Sequence, residues 1–426
     1  IDHIAGSVPD ISGAALSLTL QNGGKMADYN ILEYGAATDG VSLSTQAIQR
    51  AIDLCDRGGR VIIPAGTFVS GALFLKSHMT LFLEEGARLM GSGRVEDFPV
   101  MGYPFEGYDQ LCYASLINTD GAPHENICID GKGIIDANGE ALYQTELEQN
   151  AGKRGRAVCI RNTEHVTIRN VVIRQSPAWC LHLLYCKDVL IEQVEIHTKY
   201  DENGRKYKLH NGDGIDVDSC RDVKILNSVI ASQDDCIAVK SGRDVWGRRT
   251  GIPSENILIE NCKFKSGFGV AMGSEMSGGV ANVCVRNCTF ENTFSIASIK
   301  AVRGRGGYIK NIRYENCTMK NRDEEIKVTK WFRGALYVDG FYGQSEFDAD
   351  LEAETDEGTP VVQDLYFKDI TIDTVEGHAV YLCGLPESHI RNITMEHVKA
   401  HGKYGMTQKN IDGLKLVDVD VTSDIS

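Results

Sequence analysis

Three aspartates border two strand-like runs: Asp213 in NGDGIDVDSC, and Asp234 with Asp235 in QDDCIAVKSG, 22 residues separating Asp213 from Asp235. Each run has an apolar–any–apolar core, Ile215-Asp216-Val217 and Ile237-Ala238-Val239. The pattern returns in Phe268-Gly269-Val270-Ala271-Met272 and, with one residue of ambiguity, in Ser295-Ile296-Ala297-Ser298-Ile299. Stacked as successive strands, these runs send Ile215, Ile237 and Val270 inward, and Asp213, Asp235 and Phe268, at the turns just before them, are expected to share a face pointing away from the interior. Adjacent strands lie about 4.8 Å apart, so the carboxyls fall within roughly 4 to 6 Å, with Asp234 one residue further round the turn. Three carboxyls that close cannot all ionise at their ordinary pKa, and one keeps its proton near neutrality. A protonated carboxyl beside an ionised one is what acid/base hydrolysis needs. A single Asp at a strand border is ordinary turn chemistry; two such borders in register on neighbouring strands point to a site. Lys300, Arg303 and Arg305 follow two rungs later in SIKAVRGRGG, where glycines let a loop approach a ligand. Cations beside a carboxylate cluster suit a substrate that itself carries carboxylates.

Such placement demands a scaffold that stacks strands, and the second half of the chain repeats one. NILIENCKF (Asn256 to Phe264), NVCVRNCTF (Asn282 to Phe290) and NIRYENCTM (Asn311 to Met319) start 26 and then 29 residues apart. Weaker copies start at Asn126, His165, Asp188, Asp222, Asp364 and His389. Short strands rich in β-branched residues, repeating with variable loops, predict an all-β parallel β-helix. TQAIQRAIDLC, Thr45 to Cys55, carries apolar residues at helical spacing with Gly58-Gly59 beyond it, and predicts a short capping helix over the N-terminal end. Residues 1–30 read as a lead-in segment and 31–426 as a single β-helical domain. Within it, Ala141 to Lys153 reads as an inserted polar loop or short helix, and the acidic stretch Glu346 to Glu357 as a solvated loop.

Composition narrows the partners. A net charge of −15 over 426 residues argues against nucleic acid, which demands a basic face. It leaves room for an anionic sugar in a local basic pocket. No apolar run is long enough to span a membrane. Of the thirteen cysteines, Cys262, Cys288 and Cys317 occupy rung positions and read as stacked free thiols. No Cys-x-x-Cys pair with metal spacing occurs, so no metal or other cofactor is expected. A thiol-rich set favours a reducing, cytoplasmic address; the chain opens at Ile1 rather than Met, which leaves a removed leader open. Oligomeric state is not written in the pattern.

NGDGIDVDSC, QDDCIAVKSG, GFGVAMGSEMSGG and SIKAVRGRGG together resemble the polygalacturonase family of glycoside hydrolases, family 28, over about Ile31 to Val421. GRRTGIPSENI and CGLPE (Cys383 to Glu387) resemble its bacterial, often exo-acting branch. The resemblance implies a right-handed parallel β-helix that hydrolyses α-galacturonosidic bonds in pectic oligosaccharides without metal. It makes Asp234 the general acid, and Asp213 and Asp235 the pair that activates water, with inversion at the anomeric carbon. Inverting enzymes usually separate acid and base by about 6.5 to 9.5 Å, wider than adjacent rungs allow, so inversion here rests on the resemblance alone. Long loops near Tyr103 to Tyr113 and Lys199 to Leu209 are expected to wall one end of the groove and favour exo-action.

Two positions depart from the family pattern: its Gly-His-Gly is Gly267-Phe268-Gly269 here, and its Arg-Ile-Lys is Ser298-Ile299-Lys300. Rhamnogalacturonan hydrolases of the family also lack that histidine, often read Ala-Met-Gly-Ser as at Ala271 to Ser274, and keep Ile-Lys without the arginine. A leaving-side rhamnose has no carboxylate, and Phe268 is expected either to stack on it or to pack within its rung. His182 and Trp179 are expected along the groove or packed beneath it, Arg154 and Arg156 against a terminal uronate, and Tyr381 within reach of the sugar. A calcium-dependent pectate lyase and a non-catalytic sugar-binding solenoid remain the rival classes.

Overall fold

The computed structural model describes residues 27–149, 154–325 and 327–425. Parallel strands stack coil upon coil into the parallel β-helix expected from the repeats, with the right hand that the family resemblance implies. The coil that carries Asp213 runs through Ile215–Asp218, Arg221–Leu226 and Val229–Ala231. The next runs through Ile237–Lys240, Ser254–Glu260 and Lys263–Ser266. Ile215 pairs with Ile237, Ile237 with Val270 and Val270 with Ala297, which settles the ambiguous register of the fourth run. All four side chains are fully buried in one core that runs the length of the solenoid.

The Asn-Cys phrase earns its place at the corners of each coil. Asn256, Asn282 and Asn311 turn the chain with positive φ, as do Asn261, Asn287 and Asn316. Asparagine tolerates this left-handed conformation better than most residues. Its amide then bonds up and down the stack: Asn256 to Asp222 at 2.9 Å, Asn282 to Asn256 at 3.1 Å and Asn311 to Asn282 at 2.7 Å. Cys262, Cys288 and Cys317 are buried just inside the second corner, their Sγ atoms donating to the carbonyls of Glu260, Arg286 and Glu315 at 3.2 to 3.4 Å. Asn282→Ala loses two ladder bonds and gains left-handed strain, so it is expected to lower stability by about 1–3 kcal/mol in denaturant unfolding. A change below a few tenths would show that the ladder is ornamental.

At the N-terminal end the helix Thr45–Leu54 buries Ile48, Ala51 and Ile52 completely against the first coils. Residues 1–26 lie outside the described residues. Asp28–Asn30 is a strand in register with Arg60 to Ile62, so the last three residues of the expected lead-in belong to the first coil. The expected polar insertion overlaps the helix Gly139–Gln149, which starts two residues before it; residues 150–153 lie outside the described residues. The stretch from Glu346 to Glu357 is an exposed loop. Val100–Phe105 and Tyr108–Tyr113 form an antiparallel hairpin that leaves the solenoid and folds toward the later coils. Among the described residues no helix is long and apolar enough to cross a membrane.

Candidate active site

Asp213 and Asp235 sit on the turns that enter the strands Ile215–Asp218 and Ile237–Lys240. The turn carrying Asp234 is stitched to the preceding coil, because the Asp234 amide donates to Gly212 O at 3.3 Å and Gly212 N donates to Gln233 Oε1 at 3.0 Å. As a result one oxygen each of Asp213, Asp234 and Asp235 lies within 4.8 Å of the others. Asp213 and Asp235 are buried, whereas Asp234 is half-buried and accepts the Asp235 amide at 2.9 Å. Lys300, 2 % exposed, donates to Asp235 Oδ2 at 2.5 Å. The three oxygens are close enough to hold a cation, and the charges the fold itself supplies there are the ammonium groups of Lys300 and Lys240.

Burial drives the protonation chemistry. It pushes Asp213 well above the usual carboxylate range, with Asp216 adding to the rise and Lys240 opposing it. Burial likewise raises Asp235 to about 6 against the pull of Lys300. The cluster therefore holds protons near neutrality, as three adjacent carboxyls must.

Beneath this cluster lies a second layer of charge. Lys240 Nζ is 3.1 Å from Asp216 Oδ1, 3.6 Å from Asp213 Oδ2 and 3.5 Å from Glu275 Oε2, and sits 3.7 Å from the centre of the Trp179 ring. Neither Asp216, Lys240 nor Glu275 was among the expected site residues. The available signal was Asp216 and Asp218 two residues apart on the outward side of one strand, with Lys240 paired to Asp218 in the next. Burial raises Asp216 to about 7, with Lys240 opposing. Its ionisation then works against folding: the stability is complete below the unfolded value of 3.8 and is lost as pH rises toward 7. Asp216→Asn removes that loss, so its melting temperature relative to the parent is expected to climb between those two pH values; a constant offset would contradict the linkage.

Several other expected contacts lie elsewhere. Arg303 is clamped by Glu387 through Nε at 2.5 Å and Nη2 at 2.8 Å, and also holds Leu351 O at 3.1 Å. Its charge anchors the acidic loop. Arg305, 7 % exposed, donates to Asp244 at 2.5 Å and to Ser274 O at 2.8 Å. Arg156 is buried among the rings of Tyr103, Phe105 and Trp179, 4.7 to 5.1 Å from each, and donates to Pro104 O, so it pins the hairpin instead of facing a uronate. Arg154 holds His210 O at 2.6 Å and Asn211 Oδ1 at 2.8 Å, on the loop leading into Asp213. His182 is fully buried under Trp179, its Nε2 3.6 Å from Asp218, and burial holds it well below its usual pKa. It supports the floor and does not line the groove. Phe268 stacks on Phe332 at 3.4 Å and is 7 % exposed, so the ring with an open edge here is Phe332. Tyr381 is buried in a cluster with Tyr337, Phe341 and Leu385, two rungs beyond Ser298 and outside the carboxylate group.

The hairpin tip closes over the Lys240 side of the site. Gly107 adopts φ +76° there, and a Cβ on it would stand 2.4 Å from Arg243 Cβ and 2.9 Å from Glu275 Cγ. Only a glycine lets the backbone approach so closely. Tyr108 stacks under the Arg243 guanidinium at 4.5 Å.

Comparison with known proteins bears on the family and the fold. Residues 62–421 match the family model described as glycosyl hydrolases family 28. A probable polygalacturonase of Vitis vinifera is 31% identical over 87% of this chain and 74% of its own length. An exo-poly-alpha-D-galacturonosidase of Dickeya chrysanthemi is 30% identical over 70% of this chain and 56% of its own length. Among solved structures, a hyperthermoactive exopolygalacturonase from Thermotoga maritima superposes with a TM-score of 0.73 at 26% identity, covering 92% of this chain and 93% of its own. With a family model spanning most of the coils, the chain belongs to glycosyl hydrolase family 28.

Proposed function

We propose that the protein is an exo-acting, inverting hydrolase of α-galacturonosidic bonds in pectin-derived oligosaccharides. The observation that carries this reading is the meeting of Asp213, Asp234 and Asp235 within 4.8 Å, beside Lys300, in a groove whose one end is covered by the hairpin tip. In this reading Asp234, the most solvent-accessible of the three, protonates the glycosidic oxygen, while Asp213 and Asp235 take the proton of the attacking water. Relatives named polygalacturonase and exo-poly-alpha-D-galacturonosidase support the substrate class. Among the described residues none of the thirteen cysteines is in a disulfide, which suits a reducing compartment.

Digestion of a reduced galacturonide hexamer is expected to release monomer from the first time points, with the β-anomer appearing first by NMR. An even ladder of sizes would refute exo-action, and an initial α-anomer would refute inversion. Growth of ultraviolet absorbance from an unsaturated product would replace hydrolysis with lyase chemistry.

One observation favours a second reading, cleavage of galacturonosyl-rhamnose bonds. Beyond Lys300 lies a group of rings: Phe332 on Phe268, Trp331 42 % exposed with Lys330 Nζ 4.8 Å from its centre, and Tyr342 5.1 Å from Trp331. Ser298 is buried and bonded to Ser295, and Arg333 is bound to Asp339. Aromatic faces suit the apolar face of a neutral sugar. The ratio of kcat/KM for a galacturonosyl-rhamnose disaccharide over a digalacturonide decides between the two.

A further inference from the structure

The three-carboxylate reading leaves the buried Lys240 without a role. It is 5 % exposed, and burial works against its charge, yet Asp216, Glu275 and Asp213 outweigh that cost and hold it protonated well above the usual range. The three partners depend on it unequally. Glu275 also faces Arg305 and Arg243, and the three cations together hold it at about 2 in spite of burial. Asp213 and Asp216, among the described residues, have Lys240 as their only cationic side chain within 4.0 Å. Lys300 occupies the equivalent position against Asp235, so each carboxylate assigned to the water has its own buried ammonium group, and Asp234 has none at that range.

We propose that Lys240 is a positioning residue that favours the ionised form of Asp213 and holds its carboxyl toward the attacking water. The inference rests on the reading of Asp213 as part of the base. Asp213 is faced by Asp216 from the strand it leads into, by Asp234 and Asp235 on the next turn, and by Lys240. Lys240 is faced in turn by Asp213, Asp216, Asp218, Asp235 and Glu275, and by the Trp179 ring, with neutral His182 and the Arg156 guanidinium behind Asp216. Without Lys240 the carboxylates around Asp213 repel unopposed, and Asp213 keeps its proton to higher pH. The base is then lost over the acid side of the profile.

The test is the pH profile of kcat/KM on a galacturonide for Lys240→Met, Lys240→Gln and Lys240→Arg. In the two neutral variants the acid limb is expected to move up by at least one pH unit, about a tenfold loss on the acid side with most of the plateau kept. The Arg variant keeps the limb where it was, even if its plateau falls. An unmoved limb with a lowered plateau in both neutral variants overturns the proposal, as does an Arg variant that shifts like Met. Failure of both neutral variants to fold, with Arg intact, also overturns it in favour of a purely structural ion pair. Asp213→Asn separates the two levels: retained activity there sinks the base assignment, whereas an inactive Asp213→Asn with unmoved limbs sinks only the role of Lys240.

Discussion

Asp234→Asn is expected to lower kcat on an oligogalacturonide by about 10²- to 10⁴-fold, the range of a lost general acid. The substitution is nearly isosteric, and the one local bond it must keep, from the Asp235 amide at 2.9 Å, ends on an oxygen that asparagine retains. Asp234 is half-buried at a turn whose backbone is held by Gly212, Ser232 and Phe268, so circular dichroism and melting should match the parent. The distinguishing measurement uses an aryl galacturonide whose leaving group departs without protonation. There the defect should shrink by at least tenfold if Asp234 supplies the proton. An equal defect on both substrates would move Asp234 from acid to binding group, and full activity would remove it from the mechanism.

Lys300→Met is expected to be the most damaging substitution for both rate and stability. It leaves a carboxylate that is 4 % exposed without the ammonium at 2.5 Å, and such broken buried pairs cost about 3–5 kcal/mol. Asp235 already stands at about 6 because burial outweighs Lys300, and loss of the lysine carries it higher. A carboxyl raised above its unfolded value stabilises the fold fully below that value and loses this contribution as pH rises through its folded pKa. The variant's deficit is therefore smallest near pH 4 and grows through and beyond pH 6. Activity runs the opposite way, because a protonated Asp235 cannot take a proton from water: the kcat deficit is largest at acid pH and shrinks once pH passes the raised pKa of Asp235. Melting curves and kcat at acid and alkaline pH check both; a deficit independent of pH would mean that Lys300 acts by packing against Tyr342 and Phe332, 5.3 and 5.8 Å away, and not by charge.

Much of this architecture was legible before any coordinates. The Asn-Cys corners, the inward Ile215–Ile237–Val270–Ala297 column and the helix Thr45–Leu54 follow from local pattern, because in a solenoid each coil contacts only its neighbours. The same local rule brings Asp213, Asp234 and Asp235 together: strands of adjacent coils pair residue for residue, and a one-residue slip would expose the whole apolar column. Even the missed Asp216 and Lys240 obey it, and were overlooked because buried charge on an outward strand position is rare.

What only the tertiary structure decided is where the long side chains go. Arg303 finds Glu387 84 residues away, Arg305 finds Asp244 61 residues away, and Arg156 enters an aromatic cage completed by a hairpin from an earlier coil. Phe268 loses its free face to Phe332, which arrives on a loop between distant strands. Strand register is a short-range property set by hydrophobic alternation. The destination of a guanidinium or a ring depends on loops of irregular length, whose ends no repeat specifies.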